Sequence, residues 1–125
     1  MADKELNLQT ELILTEAVPI ACVRLTGKIT PFPEGEFKDY VIKQFEGKAE
    51  AVLIDLKEIT YLDSCALGLL TALYMSLFRR NIPVAYMRAT PEVRQIIATS
   101  HLDRILPLFD VPDEALAFIR RQARG

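Results

Sequence analysis

Apolar and polar residues alternate at the start of the chain, with Leu6, Leu8, Leu12 and Leu14 on even positions and Asn7, Gln9 and Glu11 between them. A period of two sends successive side chains to opposite sides of the backbone, which predicts a strand with one buried face. Ala17-Val18-Pro19 breaks the run, and 20–26 predicts a second strand, hairpin partner of the first, closed by Gly27. The period then changes. Phe37, Tyr40, Val41 and Phe45 recur at i, i+3, i+4 and i+8, the stripe of a short amphipathic helix, with Gly47 as its stop.

Residues 51–56 are apolar without alternation, as in a central strand covered by other elements. A helix over 64–80 follows, ended by Asn81-Ile82-Pro83, and 84–87 predicts a further strand. Thr90-Pro91-Glu92 offers an N-cap followed by proline at the first helical position, and Val93, Ile96 and Ile97 mark the inward face of that helix. Residues 105–109 suit a last strand, and 110–114 lead into a final helix carrying Leu116 and Ile119. The order ββαβαβαβα implies crossover connections and a mixed, mostly parallel sheet in a single α/β domain over 1–125. Its core spans about 6–120, with a polar tail at 122–125.

At 125 residues, half of them hydrophobic, the chain suits one compact domain with a substantial core. Its net charge of −2 and the lack of any basic cluster exclude the electrostatic footprint of a nucleic-acid binder. The polar N-terminus is unlike a signal peptide, no apolar run is long enough to insert into a bilayer, and the two cysteines lack metal-site spacing. A cytoplasmic, reduced protein is expected, with no metal and no cofactor.

The most informative stretch is 59–70, Ile-Thr-Tyr-Leu-Asp-Ser-Cys-Ala-Leu-Gly-Leu-Leu, directly after the central strand. A strand feeding a loop that ends in Asp63-Ser64 and opens into a helix puts a hydroxyl at a helix N-terminus, where unpaired N–H groups and the positive dipole end favour an anion. Asp63 and Ser64 are also both preferred N-caps, so capping alone accounts for them. Along the helix, Ala66, Leu70, Leu73 and Leu77 form one apolar row; Leu67, Tyr74 and Phe78, with Met75 beside them, form another. One row satisfies a sheet, and two imply deep burial or a partner groove.

These residues resemble the STAS domain family, specifically bacterial anti-sigma-factor antagonists, in element order over roughly 6–120. The resemblance is sharpest at Leu62-Asp63-Ser64 with Leu67-Gly68-Leu69-Leu70, and is supported by Gly27-Lys28-Ile29 and Ser100-His101-Leu102. It implies a protein-interaction switch in transcription regulation: an anti-sigma factor that is also a serine kinase binds the unphosphorylated protein and releases it once Ser64 is phosphorylated. Asp63, Cys65 and Thr30 would neighbour the phosphosite, and Leu67, Gly68, Thr71, Tyr74, Met75 and Phe78 would form the docking surface. Self-association is compatible with this reading. Cys65-Ala66, Thr30 and His101 depart from the family's usual residues. Two alternatives therefore stand: a non-phosphorylated STAS scaffold or transport-complex subunit, and a small anion- or nucleotide-binding domain.

The remaining polar residues read more plainly. Cys65 is a small packed thiol, His101 a loop or helix-end residue, and Arg79, Arg80, Arg88, Arg94 and Arg104 a solvated surface. Asp55 and Glu58 lie near the same strand end as Asp63, yet no nucleophile–base pair or glycine-rich phosphate loop accompanies them, so no catalytic residue and no enzyme activity are expected.

Overall fold

The computed structural model describes residues 6–14, 18–29 and 36–124. Within them the chain forms β1 (Leu6–Leu14), β2 (Pro19–Ile29), α1 (Glu36–Lys43), β3 (Ala51–Leu62), α2 (Ser64–Arg79), β4 (Val84–Met87) and α3 (Pro91–Thr99). A single 3-10 turn, Leu102–Arg104, precedes β5 (Leu108–Phe109) and α4 (Pro112–Arg124). The sheet order is β1-β2-β3-β4-β5. β1 pairs antiparallel with β2, and every other neighbouring pair is parallel, so the predicted α/β class and mixed sheet are observed.

Alternating residues of the central strands feed two cores. Ala21, Val23, Leu25, Val52, Ile54, Val84 and Tyr86 point to the face covered by α1, α2 and α3. Ile20, Leu53, Ala85 and Met87 point to the opposite face, where α4 supplies Ala115 and Ile119 and the Phe118 ring lies tilted against Phe109 with centroids 5.2 Å apart. Leu70, Leu73 and Leu77 of α2 are fully buried, each stabilising the packing by about 1.5–3 kcal/mol. The Tyr86 hydroxyl donates to the Leu70 carbonyl at 2.8 Å, fixing α2 over the sheet; burial holds this phenol far above its ordinary pKa, so it stays neutral.

Four boundaries differ from expectation. β3 runs to Leu62 because its pairing with β2 shifts register between Arg24 and Thr26 and again between Gly27 and Lys28. Each shift inserts one extra residue into β3, so the residues facing the core beyond Leu56 are Ile59 and Leu62, spaced by three. β2 likewise continues past Gly27, whose φ of 109° at the second irregularity is one that glycine adopts without strain. At the other margin, β5 is only two residues long: His101 turns left-handed at φ 62°, the 3-10 turn follows, and Ile105 lies outside the strand, 48% exposed. Finally, residues 122–124 continue α4 rather than forming a tail. The whole turn at 30–35, Thr30 included, lies outside the described residues, as does Gly125.

Candidate functional site

The site begins where β3 leaves the core. Leu62 is buried, Asp63 has extended backbone (φ −111°, ψ −175°), and α2 starts at Ser64. The Asp63 carboxylate accepts from the Ala66 N–H at 2.9 Å, and its carbonyl accepts from the Leu67 N–H at 3.0 Å. Asp63 is therefore the N-cap, and Ser64 is the first helical residue. That assignment frees the hydroxyl. Ser64 is exposed, and among the described residues no group donates to or accepts from its Oγ. The N–H groups of Ser64 and Cys65 also find no acceptor there, so the helix opens with two free donors and the positive end of its dipole beside an exposed hydroxyl.

Cys65 is exposed as well, rather than packed as the sequence implied. Ala66, beneath it, is completely buried, so the helix start is anchored from below while Ser64 and Cys65 face outward.

The predicted docking residues divide into groups. Leu67 is 3% exposed and belongs to the core; it contributes only the floor of a shallow depression of about 510 Å3, lined also by Ser64, Gly68, Thr71, Ala72, Ser100 and Leu102. Gly68 is exposed, and a Cβ built on it meets nothing within 4 Å, so close packing does not require the glycine. Thr71 is half-buried and donates its hydroxyl to the Leu67 carbonyl at 2.9 Å, which satisfies it within the helix. Met75 is 38% exposed on the same outward side. Tyr74 is half-buried and stacks on Phe78 at 5.9 Å. Phe78 sits about 21 Å along the helix from Ser64 and lines a separate cleft of about 780 Å3 with Ala49, Ile82 and Pro83. The structure thus gathers Ser64, Gly68 and Thr71 around one depression and leaves Phe78 apart. Ser100 and Leu102 complete that depression from the α3 end, and no sequence spacing links them to α2.

A second polar cluster went unread in the sequence. Asp55 of β3 is completely buried, and the Arg24 Nε (3.3 Å) and Arg88 Nε (3.2 Å) donate to it, as does the Lys57 N–H at 3.0 Å. Arg88 Nη2 also meets its Oδ2. Burial pushes the Asp55 carboxyl up, but the Arg88 contact, the Lys57 amide and Arg24 outweigh it and hold the group below its ordinary value. Neighbouring Cys22 is pushed up by burial, with Asp55 and Glu11 adding to it. Arg88 is thus no solvated surface cation; it takes a left-handed φ of 61° and closes over a buried carboxylate. Arg94, by contrast, pairs with Asp110 at the surface, where both side chains stay exposed. All four donors into Asp55 are accounted for, leaving a structural ion cluster rather than an acid or base.

The family model for the STAS domain matches residues 11–115. The chain belongs to the STAS domain family. A STAS-domain containing protein of Pseudomonas aeruginosa is 36% identical over 56 residues, which cover 45% of this chain and 55% of that protein. An anti-sigma F factor antagonist of Paenibacillus polymyxa is 27% identical over 116 residues, covering 89% of this chain and 94% of that one. Among solved structures, an anti-sigma factor antagonist from Mycobacterium paratuberculosis superposes with a TM-score of 0.71 at 22% identity, over 96% of this chain and 99% of that one. In this STAS domain no helix among the described residues is long and apolar enough to cross a membrane.

Proposed function

We propose that this STAS domain is an anti-sigma-factor antagonist that binds an anti-sigma factor with serine-kinase activity and is released when Ser64 is phosphorylated. One observation carries the reading: Asp63 performs the capping, so the exposed Ser64 hydroxyl has no structural duty. The names of the Paenibacillus and Mycobacterium relatives support the partner class. The reading is regulatory and assigns no catalysis to this chain.

A phosphoryl group would add about −1.5 to −2 charges at the first turn. The free amides of Ser64 and Cys65 and the helix dipole would offset this within the domain by about 0.3–1 kcal/mol, against repulsion from Asp63. The fold itself would change little. A partner packed over the depression formed by Ser64, Gly68 and Thr71 would instead meet an uncompensated anion, and each 1.4 kcal/mol lost there weakens binding about tenfold.

The test is incubation with a candidate anti-sigma kinase and ATP, followed by mass spectrometry and binding measurements. Wild type should gain one phosphate on Ser64, Ser64→Ala none, and Ser64→Glu should bind the partner at least about tenfold more weakly than wild type. Phosphate at another residue, or unchanged binding of Ser64→Glu, would overturn the switch.

A further inference from the structure

The two margins of the sheet are protected very differently. β5 closes one margin with two residues, a length too short to template another strand. β1 closes the other with nine, Leu6–Leu14, and among the described residues nothing pairs with its outer edge. Its register with β2 runs without a bulge, and it contains no lysine, proline or glycine; Glu11 is its sole charge. Apart from Glu11, the devices that ordinarily blunt an exposed edge are missing among the described residues.

The residues of this edge also have a two-fold pattern. About Thr10, Leu8 answers Leu12 and position 6 answers position 14, leucine in both cases; Gln9 answers Glu11 in shape but not in charge, and Asn7 and Ile13 differ in polarity. We propose that β1 is a self-association edge on which a second copy of this chain pairs antiparallel about an axis at Thr10, joining two five-stranded sheets into one of ten strands. An axis at Thr10 uses all nine residues and places even positions opposite even positions, so matching faces meet; a slip by one residue would oppose the two faces.

Side-chain chemistry fits this pairing. Leu8, Thr10 and Leu12 lie opposite Leu25, Val23 and Ala21, which face the larger core, so all three share that face. Leu8 is partly buried against that core, whereas Leu12 is 46% exposed. In the pair, Leu12 of each copy lies beside Leu8 of the other and loses its water contact, while Glu11 faces an uncharged amide. The Thr10 hydroxyl already bonds to Gln44 Oε1 at 3.1 Å above the face and leaves the strand's outer backbone edge clear. Glu11→Glu11 contacts fall on the diagonal, where repulsion is weak. The proposal rests on β1 alone and is independent of Ser64.

Sedimentation of the full chain over a concentration series tests it. Wild type should show a monomer–dimer equilibrium, and Leu12→Lys should raise the dimer Kd at least about tenfold at an unchanged melting temperature. In a Cys65→Ser background, Thr10→Cys should cross-link under mild oxidation faster than Leu12→Cys, because only position 10 faces itself at a Cα separation suited to a disulfide. This second measurement decides the matter if Leu12→Lys fails to fold. A wild type that stays monomeric at its highest soluble concentration would overturn the proposal, as would a dimer indifferent to Leu12→Lys or equal cross-linking at both positions.

Discussion

Asp55 and Asp63 are carboxylates eight positions apart, one within β3 and one at its exit, and the fold uses them in opposite ways. Asp55 is sealed from solvent and saturated by two guanidinium groups and an amide, so its charge is consumed in holding β2, β3 and the end of β4 together. Asp63 spends one oxygen on the Ala66 amide and thereby relieves its neighbour Ser64 of any bond. A polar group whose partners are complete stabilises; one left incomplete at the surface is available to something else. Proximity to the sheet's carboxyl ends does not separate the two residues, but the inventory of partners does.

The largest test of this contrast is Asp55→Asn. Removing the charge from a buried cluster strands Arg24 and Arg88 and should cost about 3 kcal/mol in denaturant unfolding. The same variant sharpens the pH prediction. Because the folded state holds the Asp55 carboxyl below its ordinary value, its contribution to stability is complete above about pH 3.9, the unfolded value, and is lost as pH falls through the lower folded value. Wild type should therefore lose stability on acidification below about pH 4 more steeply than Asp55→Asn. Equal slopes in acid would remove Asp55 from its structural role.

Asp63→Ala comes next, with an expected loss of about 1 kcal/mol by thermal or chemical unfolding, the worth of a cap. Gly68→Ala should act in the opposite direction, raising stability by about 0.5–1 kcal/mol through helix propensity, since the added methyl meets open space. Under the proposed function the same methyl partly fills the depression beside Ser64, so partner affinity should fall while stability rises. Ser64→Ala is the smallest change, within about 0.5 kcal/mol of wild type, because the cap is elsewhere. A loss as large as that of Asp63→Ala would show Ser64 to be the cap and abolish the contrast between the two carboxylates.

Much of the fold was legible in local pattern. Thr90 and Pro91 mark the start of α3 through a cap whose hydroxyl accepts from the Val93 amide at 3.2 Å, a contact confined to four consecutive residues. The end of β3 was not legible for an equally physical reason. Two inserted residues convert the alternation expected of a strand into buried positions at Leu56, Ile59 and Leu62, a spacing that resembles helix or loop. His101 gave no sign of its left-handed backbone, since that conformation is imposed by the chain passing from α3 into the 3-10 turn. At the site, the helix-start serine was readable, but whether Asp63 or Ser64 capped the helix was not, because either side chain could reach an amide of the first turn.

Local chemistry, then, determined the element order, the sheet's mixed character and the presence of a hydroxyl at the opening of α2, because periodicity, caps and breakers act over a few neighbouring residues. Tertiary structure alone decided that Leu67 belongs to the core, that Ser100 and Leu102 share a depression with Ser64, and that Arg24 and Arg88 converge on Asp55 across some thirty positions of sequence. Those pairings depend on strand register and helix placement, quantities set by packing the whole domain at once.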